Sequence, residues 1–135
     1  MWRIKGIDHI VLRVRDGEAM TRFYCEALGC TVERRKDGIG LIQLRAGAQL
    51  IDIVPVDGEL GRGGGAAPGK EGCNLDHFCL RIDPFEPEAI YKHLAEFGID
   101  AGPVKQRDGA EGVGSSIYLD DPEGNRVELK GPSAE

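Results

Sequence analysis

The sequence predicts an α+β fold made of two tandem βαβββ modules, and two observations lead to it. A short motif occurs twice, as DHIVLRV over residues 8–14 and as DHFCLRI over residues 76–82. After each copy comes an amphipathic stretch that ends at a glycine, followed by short apolar segments. Repetition of one pattern is typical of folds assembled from similar units. We therefore expect module one at residues 1–57, a glycine-rich connector at 58–74 and module two at 75–135.

The elements of module one follow from local patterns. Residues 6–15 alternate and are rich in β-branched side chains, which predicts a strand. Asp16 is placed to cap a helix over about 18–28, and Gly29 to end it. The segments TVERRKD, GLIQLRA and QLIDIVPV then predict three further strands.

Module two repeats the same order. The pattern predicts a strand over residues 75–83, broken at Asp83-Pro84, and a helix over about 86–97. A short strand near 103–106 follows, then one beginning at Ser115 and a last one in RVELKG. The connector between the modules holds many glycines, which predicts a flexible linker or an active-site loop.

Composition limits the functions that the chain can have. The net charge of −6 argues against nucleic acid or an anionic membrane as a partner, because both need a basic face. No apolar run reaches the roughly 20 residues of a membrane-spanning helix, and the first residues lack a signal-peptide core. We expect a cytoplasmic protein with a small-molecule substrate.

The four cysteines show no zinc spacing, so we interpret them as reduced, with Cys79 in the core.

Side-chain parity gathers a set of polar residues on one face of the predicted sheets. Successive side chains of a strand point to opposite faces, so the wholly apolar positions should pack against the helices. The polar residues at alternate positions then face the other way. They are His9, Gln43, Asp52, His77, Tyr118 and Glu128.

Histidine and carboxylate together form the usual ligand mix for Zn, Fe, Mn, Co or Ni. Two histidines with one glutamate also match the facial triad of non-haem iron enzymes. A lone histidine in a strand is more often a structural residue, and a lone glutamate is usually solvated. The histidines, however, stand at equivalent places in the repeat, each after an aspartate. Side-chain parity alone therefore leaves open whether these residues bind a metal ion or have a structural role.

Four stretches resemble the vicinal oxygen chelate superfamily, which includes glyoxalase I, bleomycin-resistance proteins, extradiol dioxygenases and fosfomycin-resistance enzymes. They are IDHIVLRVRD, FYCEALGC, LDHFCLRI and GSSIYLDDPEGNRVEL. The last one, with its Asp-Pro-x-Gly-Asn turn before the glutamate strand, is the most specific. The resemblance covers essentially the whole chain and is strongest to glyoxalase-domain proteins of unassigned substrate.

The resemblance implies that the two modules form a cupped mixed sheet around one divalent metal ion, which would be Zn, Ni, Co, Mn or Fe. Matched motif by motif, His9, His77 and Glu128 fall at ligand positions. Asp52 falls at the fourth position, where many members have glutamate or glutamine. It follows Gly47 by five residues, whereas Glu128 follows Gly124 by four. Asp52 can therefore bind directly, through water or not at all.

The activity that the resemblance favours is that of a lyase or isomerase of the glyoxalase type, similar to lactoylglutathione lyase. Glu128 would move a proton between adjacent substrate carbons, with Asp52 as a second base, while Gln43, Tyr118 and Arg13 would contact the substrate. The alternatives are an extradiol ring-cleaving dioxygenase using Fe(II), a non-catalytic binding protein of the bleomycin-resistance type and, as a minor option, addition to an epoxide as in fosfomycin resistance. Modules of this superfamily pair within or between chains, and we expect a homodimer.

Overall fold

A computed structural model describes residues 1–134, which form two compact units that divide between Asn74 and Leu75. Each unit contains one mixed sheet of four strands and one principal helical segment. The α+β fold of two repeated modules that the sequence predicts is therefore confirmed.

Unit 1 contains the first four strands, in the spatial order β1-β4-β3-β2. The edge strand β1 runs parallel to β4, and the remaining neighbours are antiparallel. Helix α1 packs on β3 and β4 and continues as a π-helical turn. The elements are β1 (His9–Val14), α1 (Gly17–Arg22), its π-helical turn (Phe23–Ala27), β2 (Thr31–Lys36), β3 (Leu41–Ala46) and β4 (Gln49–Pro55).

The start and end of this helical segment follow the sequence signals. The Asp16 side chain accepts a hydrogen bond from the Ala19 amide at 3.0 Å, as expected of an N-cap. Gly29 follows the π-helical turn with a φ of +85°, a left-handed conformation that glycine adopts without steric cost. Strand β1, in contrast, begins at His9 and not at residue 6, because its ladder partner β4 starts only at Gln49.

Unit 2 repeats this arrangement, with the spatial order β5-β8-β7-β6 and with β5 parallel to β8. Strand β5 is shorter than predicted, since its pairing with β8 starts at Phe78, so His77 lies just before the strand. Helix α2 has proline at its first position. The elements are β5 (Phe78–Arg81), α2 (Pro87–Glu96), β6 (Lys105–Arg107), β7 (Gly114–Asp120) and β8 (Arg126–Ser133).

The apolar faces predicted from parity form the core of each unit. In unit 1 the fully buried side chains include Leu12, Val14, Met20, Tyr24, Leu44 and Ile53. In unit 2 they include Ile117 and Val127, and Leu94 of α2 is also buried. Strand β8 is buried on both faces, because Glu128 and Lys130 are inaccessible as well. One face of each sheet therefore stabilises the unit, and the other is left for polar side chains.

The glycine-rich connector is held to β1 by hydrogen bonds. The Arg13 guanidinium donates to the carbonyls of Gly61, Gly64, Gly65 and Ala66 at 2.8–3.1 Å. The Asn74 side chain accepts from the Arg13 amide and donates to its carbonyl. The segment predicted as a flexible linker or active-site loop is thus fixed to β1 by hydrogen bonds between side chains and backbone groups.

Over residues 1–134, no helix has the length and apolar character that crossing a membrane requires. The longer α-helix, α2, has 10 residues.

Candidate functional site

Three of the predicted site residues meet on one face of unit 1. His9, at the start of β1, places its Nε2 3.9 Å from Oδ2 of Asp52. Gln43 of β3 lies directly across from Asp52 in the ladder and donates to its two carboxylate oxygens at 3.2 and 3.4 Å. Asp52 is buried, whereas the His9 side chain is 44% exposed. We refer to His9 and Asp52 as the unit-1 pair.

Three residues meet in the same way in unit 2. His77 places its Nε2 3.3 Å from Oε1 of Glu128, which is buried on β8. Tyr118 of β7 lies directly across from Glu128, and its ring makes an edge contact with the His77 ring at a centroid distance of 5.5 Å. We refer to His77 and Glu128 as the unit-2 pair.

The strand register makes Asp52 and Glu128 equivalent positions. Asp52 pairs with Val11, two residues after His9, and Glu128 pairs with Cys79, two residues after His77. The residue counts from the preceding glycines differ because the turns differ. Ala46 and Gln49 close a turn of two residues, whereas five residues separate β7 from β8. Hydrogen-bond pairing, and not the count from a glycine, determines which side chains face the histidine.

The turn before β8 explains the most specific motif in the sequence. Oδ1 of Asp121 accepts hydrogen bonds from the amides of Glu123 and Asn125, both at 2.9 Å. Its Oδ2 accepts from the Asn125 side chain at 2.7 Å, and Gly124 adopts a φ of +84°. This compact turn sets the register that places Glu128 opposite Tyr118. The motif therefore acts on the site by positioning the carboxylate.

Each histidine is oriented by the aspartate that precedes it. Nδ1 of His9 lies 2.8 Å from Oδ2 of Asp8, and Nδ1 of His77 lies 2.5 Å from Oδ2 of Asp76. A carboxylate at Nδ1 fixes the tautomer and leaves Nε2 as the free nitrogen, which is the arrangement found behind metal-binding histidines. The repeated Asp-His dipeptide is the sequence signal for this role.

Charges around the pairs shift several pKa values. The hydrogen bond to Asp8, with the charge of Asp52, raises the pKa of His9. The hydrogen bond from His77 lowers the pKa of Asp76. Desolvation of the sulfur, together with the nearby Glu128 charge, raises the pKa of the Cys79 thiol to about 11. The prediction that Cys79 is a core residue is wrong, because its side chain lies on the histidine face and is exposed.

Histidine and carboxylate side chains are suitable ligands for a divalent cation, but each unit contributes only one of each. Among the described residues, Oε2 of Glu128 is the one buried side-chain oxygen or nitrogen without a hydrogen-bond partner. An unsatisfied buried polar atom costs about 1–3 kcal/mol, and a bound cation would remove that cost. No group of three or more metal-binding side chains occurs within residues 1–134. Each unit thus offers a pair of ligands, fewer than the three of a catalytic zinc site.

A cavity of about 240 Å³ lies against the unit-2 pair. Its wall continues from the pair onto the loop that follows β6. Two basic residues hold this loop: Arg81 lies 3.0 Å from Oε1 of Glu111, and Lys130 donates to the Gly112 carbonyl at 2.9 Å. The cavity adjoins His77, and the charged side chains of Glu128 and Lys130 contribute to its wall.

The substrate-contacting residues predicted from the sequence have different surroundings. Gln43 and Tyr118 lie beside the carboxylates, as described above. The Arg13 guanidinium is bonded to connector carbonyls, so its contact with a substrate stays a prediction. Sequence reasoning missed Arg107, whose guanidinium lies over the Tyr118 ring, because nothing in the local pattern of β6 indicates that contact.

Residues 6–129 match the family model described as the Glyoxalase/Bleomycin resistance protein/Dioxygenase superfamily. Virulence protein STM3117 of Salmonella typhimurium is 32% identical over 93% of this chain and 83% of its own length. Its crystal structure superposes with a TM-score of 0.76 at 27% identity, over 97% of this chain and 99% of that one. The glyoxalase domain-containing protein RDO1 of Mycosarcoma maydis is 33% identical over 93% of this chain and 68% of its own. The integron cassette protein VCH_CASS1 of V. cholerae has a TM-score of 0.75 at 28% identity, over 98% and 99% of the two chains. The protein is thus a member of the glyoxalase/bleomycin resistance/dioxygenase superfamily, the vicinal oxygen chelate proteins.

Proposed function

We propose that this protein is a divalent-metal-dependent lyase or isomerase of the glyoxalase type that acts on a small substrate with two adjacent oxygens. One observation carries the proposal: each unit repeats the same aspartate–histidine–carboxylate arrangement, with the histidine Nε2 directed at a buried carboxylate. The unpartnered oxygen of Glu128 supports it further, since that atom has no structural hydrogen bond to maintain.

The ligands that we propose are His9, Asp52, His77 and Glu128. A catalytic ion needs at least three protein ligands, and each unit provides one histidine and one carboxylate. We therefore propose that one ion takes ligands from both pairs, within one chain or between the two chains of a homodimer. Size-exclusion chromatography with light scattering measures the oligomeric state directly. A cytoplasmic location stays a prediction from the sequence.

When bound, the ion would polarise a substrate carbonyl and make the neighbouring C–H group more acidic. The proton then needs an acceptor on this chain. Both oxygens of Asp52 accept hydrogen bonds from Gln43, whereas Oε2 of Glu128 is free of one. We therefore assign the proton transfer to Glu128, because its Oε2 has no hydrogen bond to break when it takes the proton and returns it to the adjacent carbon. Asp52, on the other pair, is the second candidate base.

The metal content of the purified protein tests this proposal. The protein is made without a metal-affinity tag, and bound metal is measured by mass spectrometry in wild type, His77→Ala and Glu128→Ala. His93→Ala is the matched control, because His93 is an exposed histidine on α2 and belongs to neither pair. We expect near-stoichiometric metal in wild type and in the control, and its loss in the two site variants.

The identity of the metal directs the next assay. Zn, Ni or Co would lead to isomerase assays with hemithioacetals. Iron would lead to catechols and oxygen uptake, and would favour the ring-cleaving dioxygenase. If wild type neither retains metal nor binds added metal with micromolar affinity, the enzyme proposal is wrong, and a binding protein of the bleomycin-resistance type is the better account.

The aspartates behind the histidines give a graded test of the same site. Asp76→Ala removes the group that orients the His77 ring and leaves every proposed ligand in place. Loss of such a partner weakens metal affinity by about 10–100-fold in known metal sites. Competition with a chelating dye measures the change. Asp100→Ala, an exposed aspartate after α2, should leave the affinity unaltered.

A further inference from the structure

Residues 1–7, which precede β1, present a cluster of large apolar side chains to solvent. Met1, Trp2, Ile4 and Ile7 are between 71% and 111% exposed. The same segment contains one arginine, one lysine and no acidic residue, so its side chains carry a charge of +2. A cluster of exposed apolar side chains marks an interaction surface. We refer to residues 1–7 as the basic arm.

A groove of about 500 Å³ lies in unit 1, at the end of β1 opposite to the basic arm. Its wall is partly apolar and carries an excess of three negative charges, from Arg15, Asp16, Glu18, Asp37 and Asp57. Glu18 is paired with Arg35 at 2.8 Å. Neither Asp37 nor Asp57 forms an ion pair in the part of the chain that the structure describes. This acidic groove therefore suits a segment that is both apolar and basic.

The basic arm is too short to dock in the groove of its own chain. Asp57 follows by two positions the residue that pairs with Val14, so it lies beyond the far end of β1. An extended strand places Val14 about 20 Å from Asp8, the residue after the arm. A chain that folds back from Asp8 reaches at most about 18 Å at Arg3 and about 11 Å at Lys5. Both basic residues thus fall short of their own groove, whereas the groove of a second copy has no such constraint.

We propose that the basic arm of one copy of this chain docks in the acidic groove of a second copy. In this contact the apolar side chains of the arm leave water, and its two basic residues neutralise Asp37 and Asp57. A two-fold dimer contains the contact twice, because each copy supplies one arm and one groove. Two arms do not suit each other, since both are positively charged. The inference goes beyond the proposed function, because it involves no metal ligand and does not depend on a bound ion.

The fluorescence of the chain reports directly on the basic arm, because Trp2 is its one tryptophan. Light scattering after size-exclusion chromatography measures the mass of the full-length protein over a dilution series, and acrylamide quenching measures the accessibility of Trp2. We expect a dimer in which Trp2 emits at short wavelength and is protected from acrylamide. On dilution the mass should fall to the 14.6 kDa of one chain while the emission moves to longer wavelength and quenching increases.

Charge reversal tests whether the arm and the groove face each other. One variant combines Arg3→Glu with Lys5→Glu, and another combines Asp37→Lys with Asp57→Lys. Each should raise the dissociation constant of the dimer roughly tenfold or more, because like charges then meet. A chain with all four substitutions has complementary charges again and should recover most of the affinity. Asp100→Lys, at an exposed position outside both surfaces, is the control and should leave the dissociation constant unchanged.

A protein that stays monomeric with Trp2 open to acrylamide would overturn the inference. So would a dimer that neither reversed variant weakens, or a combined variant that recovers no affinity. Protection of Trp2 in the monomer would equally overturn it, because the arm would then be covered by its own chain.

Failure of this inference is distinct from failure of the proposed function. A protein that retains metal but whose self-association ignores the charge reversals refutes the inference alone. A protein that dimerises through the basic arm but takes up no metal refutes the metalloenzyme proposal alone.

Discussion

Replacing Asp121 by alanine should destabilise the protein by about 3 kcal/mol. The carboxylate accepts three hydrogen bonds, two from backbone amides and one from the Asn125 side chain. The amide of Glu123 is partly accessible, so water can replace that bond, whereas both Asn125 groups are buried. Hydrogen bonds to a charged group contribute roughly 1.5–3 kcal/mol each, and the two buried bonds at the lower value give this estimate.

Urea unfolding monitored by circular dichroism measures the loss. With a slope of about 2 kcal/mol per molar, the midpoint should fall by roughly 1.5 M. Asp121→Asn, which keeps one acceptor oxygen, should lie between alanine and wild type. Asp120→Ala is the control, because that residue is exposed and surface substitutions usually stay within about 0.5 kcal/mol. If Asp121→Ala costs no more than Asp120→Ala, the turn does not hold β8 in the way described.

Two further predictions concern the connector and the cysteines. Gly64→Ala should destabilise the protein by about 1 kcal/mol, because a Cβ there would lie 2.4 Å from Arg13 side-chain atoms and would displace the guanidinium from connector carbonyls to which it donates. Gly63→Ala meets no atom within 4 Å and should have little effect, and thermal unfolding of both variants compares them. In a thiol titration with Ellman's reagent, the exposed Cys73 should react in the native state, while Cys30 should react only after unfolding, because burial raises the pKa of its thiol to about 11. Native reactivity at Cys30 would contradict its burial.

Residue alternation was sufficient to assign the faces of the strands. The prediction that Leu12 and Val14 pack inward while His9 faces the other way depends on a local rule, the period of two in an extended chain. The Asp16 cap and the glycine after the first helix are local signals of the same kind, and the structure has both. Such features are predictable because they involve residues close together in the chain.

The ends of a strand and the residues opposite it are harder to predict, because both depend on a partner strand elsewhere in the sequence. Strand β5 is shorter than its apolar pattern because its partner β8 starts to pair with it only at Val127. The apolar neighbours of Cys79 predict a core position, whereas the residue is exposed and pairs with Glu128 on the polar face. The equivalence of Asp52 and Glu128 needed the register of two ladders, which turns of different length conceal in the sequence.

The sequence by itself thus determined the repeat, the alternation of its strands and the two histidines that follow an aspartate, since each is written in neighbouring residues. The tertiary structure alone decided three things: the carboxylate that faces each histidine, the binding of the connector by Arg13, and the place of Arg107 over Tyr118. These contacts join residues on different strands. Their geometry is set by hydrogen-bond register and turn shape, which a local pattern of apolar and polar residues does not encode.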